Sequence, residues 1–357
     1  MVTVWILISD VVFCTYMFTD VFHTGIWEEL HTVKDQHLQD LASKLPLLAL
    51  QAKQGGTVKN YTYGWSRWRR WAALYPEVQA FPASPMYVAI YLLEIYQSAR
   101  TAAPVSLAAY SIAWAHKTAG LADPTLHALP RMIKEAAPRT LKHFSNKKDP
   151  LTVEMIEKIV HKYGSCNASL QDLRLLAMFL VAFTAFLRYS ELSNLRYCDI
   201  QFEPDHMRLF VEHSKTDVYR DGVWVYVARL ISANCPVAAL ERYVHRAGFD
   251  EYSEKFIFRG ITRNKCLSKR KLKTTNAPLS YSTARSLILN ALGVLGYDIN
   301  QFGTHSLRAG GATAAAANRV EDRLFKKHGR WRSDRSKDRY VTEDLAQKLK
   351  VTQSLGL

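Results

Sequence analysis

At 357 residues, with 48% hydrophobic and 22% charged residues, the chain has the balance of an ordinary globular protein, long enough for two domains with separate cores. Lys and Arg number 47 against 32 Asp and Glu, a formal charge of +15, which favours a polyanionic partner because each cation placed on a phosphate releases condensed counterions. The plain alternative is a basic protein kept soluble by its charge. The five cysteines (Cys14, Cys166, Cys198, Cys235 and Cys266) are widely spread, with no CxxC or Cys/His pairing at zinc spacing. They argue against a disulfide framework and a metal centre, and fit reduced thiols inside a cell.

Met1 to Phe22 is apolar but interrupted by Asp10 and Asp20, and no Lys or Arg precedes Lys34. The basic start of a signal peptide is therefore missing. Residues 1–35 are read as an N-terminal extension: an extra docking helix or a start foreign to the domain, with a marginal membrane anchor as the alternative. From Gln36 to Gln54 the pattern is weakly helical and Gly55-Gly56 closes it. Thr57 then caps a helix to about Tyr75 that alternates Trp65, Trp68 and Trp71 with Arg67, Arg69 and Arg70. Rings at that spacing pack a core while the guanidiniums face out, toward phosphates or toward water. Ser84-Pro85, Pro104 (closed by Gly120) and Asp123-Pro124 open three further helices, since proline at the first helical position loses no hydrogen bond. Residues 36–138 thus form a small all-helical domain. Residues 139–149, basic and flanked by Pro138 and Pro150, form a linker in which Lys147 and Lys148 are candidate phosphate contacts.

The second domain, 150–343, opens with a helix to Tyr163, stopped by Gly164. Leu170 to Leu187 is almost wholly apolar and reads as a buried helix whose end delivers Arg188, with Glu191 three residues on. Met207–His213 and Val223–Ala228 alternate apolar and polar residues around a polar turn ending in Gly222, a hairpin with Lys215 near its tip. Helices follow at 236–247 and 281–295. Between them the stretch from Arg263 to Lys273, including Lys269, Arg270 and Lys271, fits a phosphate contact, a nuclear-import signal or a solvated loop. A helix from about Thr304 puts His305 and Arg308 on one face, and Trp331 and Tyr340 follow. Residues 344–357 are a tail with Leu345, Val351 and Leu355 among polar residues. The fold class is mainly α with a small antiparallel sheet.

Taken singly, the chemistry-bearing residues have plainer roles. Arg188 and Glu191 make a helix-surface ion pair, Lys215 a turn lysine, His305 a packed-helix histidine and Trp331 a core residue, while Tyr340 is one of 18 tyrosines. Together they suggest a phosphate held by fixed donors and attacked by a phenol oxygen, as in phosphodiester exchange. Negative charge develops on nonbridging oxygens, and without a metal or any other cofactor it must be met by fixed cations. Arg188 and Arg308 offer planar bidentate donors and His305 a third. A phenol, whose ordinary pKa is about 10, needs such surroundings to attack near neutral pH.

This set, carried by TAFLRYSEL, HSKTD, HSLRAGGAT, GRW and the tyrosine nine residues after the tryptophan, resembles the tyrosine recombinase (phage-integrase-like) family over about Gln36 to Tyr340. SKTDVYRDG and GRW look most like the recombinases of eukaryotic DIRS-type retroelements. The resemblance implies a helical core-binding (SAM-like) domain, a catalytic domain and double-stranded DNA as partner. It further implies a dimer per site and a tetrameric synapse, with no stable membrane association. It makes Tyr340 the nucleophile that forms a 3′-phosphotyrosine, Lys215 the general acid, Trp331 a phosphate donor or buttress, and Glu191 a residue that orients Arg188 or His305. Location follows the DNA: nucleus in a eukaryote, which is preferred, and cytoplasm or nucleoid in a prokaryote. The alternatives are a type IB topoisomerase-like enzyme and a domesticated, catalytically silent DNA binder. One departure stands out. Many family members carry glycine two residues before the first arginine, where this chain has Phe186, which predicts a shifted helix end.

Overall fold

A computed structural model describes residues 20–141, 147–212, 222–250, 253–263, 270–338, 340–341 and 345–355. The chain divides into two compact units, Met1–Asn146 and Lys147–Leu357. The fold class is as the sequence predicts: mainly helical, with a small antiparallel sheet.

The described part of the first unit is helical throughout. Its core is built on the Gly55–Ala72 helix, where Trp65, Trp68 and Trp71 recur every third residue and all are buried. The indole N–H of Trp68 donates to the Ala80 carbonyl at 2.8 Å and that of Trp71 to Glu94 at 2.8 Å, so these two rings are buried with their polar edges paired. Arg67, Arg69 and Arg70 point the other way and are exposed. Gly55 and Gly56 open this helix instead of closing the preceding segment, which is two short helices, Gln36–Ala42 and Leu45–Gln51. Pro85–Ser98 and Ala103–Thr118 form as expected. Asp123-Pro124 starts only a 3₁₀ turn, Pro124–Leu126, and the fourth helix is Ala128–Thr140. That helix runs through Pro138 into the segment read as linker, because a proline in the last turn forfeits a single backbone bond. The core also begins ahead of residue 36. Val21, Phe22 and Trp27 are buried in it, and the Trp27 indole donates to the Thr118 carbonyl at 2.8 Å. The expectation for residues 1–19 lies outside the described residues.

The second unit is laid around the apolar Leu170–Thr184 helix, opened by a reciprocal Ser169–Asp172 cap and buried along nearly its whole length. Val153–Tyr163, Pro236–Ala247 and His305–Ala317 pack on it. A three-stranded antiparallel sheet runs β1 (Ile200–Phe202), β2 (His206–Val211), β3 (Val223–Ala228). In the β2–β3 register Met207 faces Val227 and Leu209 faces Val225 on the buried side, while Arg208 faces Tyr226 on the other. The three-residue β1 was too short to read in the sequence. The basic stretch from Arg263 to Lys273 differs from a simple loop: its ends form a second antiparallel pair, β4 (Ile261–Arg263) and β5 (Arg270–Leu272). The hairpin tip with Lys215 lies outside the described residues. Among the described residues no helix is long and apolar enough to cross a membrane, and no group of His, Cys, Asp or Glu could hold a metal ion.

Candidate active site

The Leu170–Thr184 helix ends at Ala185, and Phe186 then takes a left-handed backbone, φ +47°. That reversal lets Arg188 become the N-cap of a new short helix, Tyr189–Asn194. Glu191 sits in its first turn and accepts the Arg188 backbone N–H at 2.9 Å and the Arg188 guanidinium at 2.6 Å. A left-handed backbone usually belongs to glycine. Here the phenylalanine ring compensates by packing edge-on against His328 and Phe325, with ring centroids 4.7 and 5.9 Å apart, and against Trp331 at 6.0 Å.

The His305–Ala317 helix supplies Arg308, which is fully buried. Its terminal nitrogens donate to the carbonyls of Phe186 and Gly329, and Glu191 stands 3.6 Å away. The Gly310-Gly311 pair explains how the helix comes so close. A Cβ at 310 would lie 2.2 Å from the Leu151 carbonyl, and one at 311 would lie 2.0 Å from that of Phe183. His305, at the first residue of the same helix, is exposed.

Arg330 is the residue the sequence did not reveal. It is buried, also left-handed (φ +56°), and donates to Ala185, His328 and Phe186 carbonyls at 3.1, 2.9 and 2.7 Å and to Glu191 at 2.9 Å. In the run KKHGRWRSDR it is one arginine among many, and only its tertiary partners distinguish it. Its neighbours in the GRW motif are equally placed. Gly329 is glycine because a Cβ there would meet the Trp331 ring at 1.8 Å, and Trp331 lies over Arg308, guanidinium carbon to centroid 4.8 Å.

Tyr340 closes the pocket. Its ring lies 4.9 Å from the Arg308 guanidinium carbon and 5.6 Å from the Trp331 ring, and its carbonyl accepts from the Thr313 hydroxyl at 3.2 Å. One carboxylate therefore faces three guanidiniums, leaving the pocket with an excess of positive charge. Burial alone would raise the Glu191 pKa, but Arg330, Arg188 and Arg308 outweigh it and hold the carboxyl below its usual range. Burial lowers Arg308, with the Arg188 charge acting in the same sense and Glu191 against it. The Trp331 indole nitrogen and the Arg308 Nε are buried with no hydrogen-bond partner among the described residues. Such an uncompensated donor beside an excess of positive charge suits an incoming oxyanion.

Of the residues singled out in the sequence, the fold thus brings Arg188, Glu191, Arg308, Trp331 and Tyr340 together, and sets His305 one turn from Arg308. Lys215 and Lys269 lie outside the described residues, as does the Arg270 side chain. Lys271 and Lys147 are exposed, and Lys148 donates to the Asn300 carbonyl. In the helical unit Arg69 pairs with Asp20 at 3.3 Å, and Arg67 lies 6.0 Å from the Tyr63 ring.

The profile of the phage integrase family matches residues 149–346. The chain belongs to the phage integrase family. An integrase/recombinase XerD homolog of Selenomonas ruminantium is 28% identical over 297 residues, 82% of this chain and 83% of that protein. A lambda integrase dimer bound to a COC′ core site has the same fold (TM-score 0.54, 20% identity, 83% of this chain and 74% of that one). So does the XerH site-specific recombinase on a palindromic difH substrate in a post-cleavage complex (TM-score 0.56, 16% identity, 98% and 95%).

Proposed function

We propose that the protein is a site-specific DNA recombinase that cuts and rejoins strands through a 3′-phosphotyrosine on Tyr340. The observation that carries this reading is the Tyr340 ring seated over Arg308, in a pocket where Arg188, Arg308 and Arg330 share a single carboxylate. Family membership and the DNA-bound relatives support the same reading.

In this reading Arg188, Arg308, His305 and the Trp331 N–H hold the nonbridging oxygens of one phosphodiester. The Tyr340 phenol gives up its proton to solvent as its oxygen attacks phosphorus, and the bond to the 5′-oxygen breaks. The departing 5′-hydroxyl takes its proton from Lys215, the hairpin lysine in the general-acid role. Reversal by the 5′-hydroxyl of another strand rejoins the DNA, so the energy of the bond is kept in the enzyme link and neither metal nor nucleotide is consumed. In the arrangement described here the Arg308 terminal nitrogens bond main-chain carbonyls and two rings cover its face. The phosphate would therefore meet Arg308 through its Nε, the donor without a partner among the described residues, or by exchanging those carbonyl bonds.

The helical domain, with Arg67, Arg69 and Arg70, and the linker lysines Lys147 and Lys148, would grip the duplex through its phosphates, as would Lys269, Arg270 and Lys271. Two protomers would occupy a site and four a synapse, with residues 344–357 linking neighbours. Its place is with the host DNA, in cytoplasm or nucleoid if the host is bacterial like that of the XerD homolog. The DIRS-type branch rests on GRW and on a hairpin sequence outside the described residues.

Covalent capture tests the function. Purified protein is incubated with a pool of nicked duplexes of random sequence, and DNA that stays attached in detergent is sequenced. A discrete recovered site, lost in Tyr340→Phe, is expected. Binding without an adduct leaves a DNA-binding protein, and relaxation of supercoiled plasmid without strand exchange leaves a topoisomerase.

A further inference from the structure

We propose that Arg330 is a positioning residue for strand cleavage, a third arginine that sets Arg188 and Arg308 without itself touching DNA. The proposal rests on the recombinase reading above. Four donor contacts from one side chain reach Ala185, Phe186, Glu191 and His328. Phe186 and Ala185 form the turn that delivers Arg188. Glu191 holds Arg188 at 2.6 Å and lies 3.6 Å from Arg308. The Phe186 carbonyl accepts from both Arg330 and Arg308, so one oxygen registers the two guanidiniums against each other. On either side of Arg330 in the chain, Gly329 accepts from Arg308 and Trp331 covers it. The Arg330 side chain is 5% exposed and both terminal nitrogens are taken by protein acceptors, which leaves only its buried Nε without a partner among the described residues.

Two features separate this role from generic stability. Arg330 and Phe186 are both non-glycine residues in left-handed backbone, joined by a hydrogen bond. Strain kept at two adjoining positions of a pocket marks a geometry that the pocket needs. Moreover, losing Arg330 leaves Glu191 still paired with Arg188 and within ion-pair reach of Arg308. Glycine at 330 would adopt φ +56° without strain. Arg330→Gly should therefore fold while lacking the fork, and Arg330→Lys should keep the charge but lose the planar geometry.

The test uses the full-length protein and the nicked duplex recovered by covalent capture. Single-turnover adduct formation at saturating DNA is measured beside equilibrium binding and thermal unfolding. Both variants should cleave about a hundredfold more slowly, the cost typical of a misplaced catalytic group. Their DNA affinity should stay within about threefold of wild type, since the loss falls on the chemical step alone. Cleavage by either variant within about threefold of wild type overturns the proposal. So does an equal loss of affinity, and so does an Arg330→Gly protein that melts below the assay temperature, because either makes Arg330 a binding or structural residue. If the wild-type protein itself gives no adduct, the recombinase reading falls and this proposal with it.

Discussion

Replacing Glu191 with glutamine removes one negative charge from beneath three guanidiniums and changes almost nothing in volume. The side chains of Glu191, Arg308, Arg330 and Arg188 are 0, 0, 5 and 12% exposed, so little solvent screens the change. The glutamine oxygen can accept at most two of the three hydrogen bonds that the carboxylate took, and its NH2 group must face a guanidinium. Breaking a buried ion pair by deleting one partner costs roughly 3–5 kcal/mol, most of it the penalty of leaving charge uncompensated. For a unit of about two hundred residues this lowers the melting midpoint by roughly 6–20 °C. Differential scanning calorimetry with both units in one chain should show the second transition move and the first stay.

The same reasoning predicts a rescue. With the carboxylate gone, the pocket is short of negative charge, and inorganic phosphate or sulfate can supply it. Tens of millimolar sulfate should raise the Glu191→Gln midpoint by several degrees more than that of wild type, by mass action on the folded state. A Glu191→Gln protein that melts within about 2 °C of wild type would refute the electrostatic account of the pocket. An equal sulfate response in the two proteins would refute its anion deficit.

Phe186→Gly sets two effects against each other: relief of a left-handed backbone is worth about 1–2 kcal/mol, whereas the void left by a buried phenylalanine costs about 3–5 kcal/mol. The cavity should win, giving a net loss of about 1–4 kcal/mol in urea unfolding, and a stabilised variant would show that the ring contributes nothing to the packing around Trp331. In the helical unit, His116 is buried with Nε2 accepting from Ala83 N–H at 2.9 Å and Nδ1 bonded to the Ile112 carbonyl at 2.8 Å. Burial lowers its pKa, so the unfolded chain binds more protons below the ordinary value of about 6.5. Stability of this unit should thus be full above about pH 6.5 and fall as acid drives protonation, a slope that His116→Gln should flatten. A urea midpoint unchanged between pH 7.5 and 5.5 would sink that assignment.

How much of this was legible in the chain follows from what kind of force fixes each part. The helices that pack by their own periodicity could be read directly: the tryptophan face of Gly55–Ala72, the apolar run of Leu170–Thr184 and the start of His305–Ala317 just after Thr304. Elements held by neighbours could not. The three-residue β1, and β4 paired with β5 in a stretch that looked merely basic, owe their existence to a partner strand. At the site the same division holds. Arg188, Arg308 and Tyr340 stand at spacings that local structure nearly dictates, and their motifs gave them away. Phe186 looked like a lost glycine, yet the backbone there is still left-handed, with an aromatic cluster holding what glycine would have given freely. Arg330 carries no local signature, since all its partners but the His328 carbonyl lie about 140 residues away in the chain. Charge counting along the sequence finds a surplus of cations, but only the fold shows that three of them compete for one carboxylate. That competition leaves the pocket short of an anion, which is what a phosphodiester would supply.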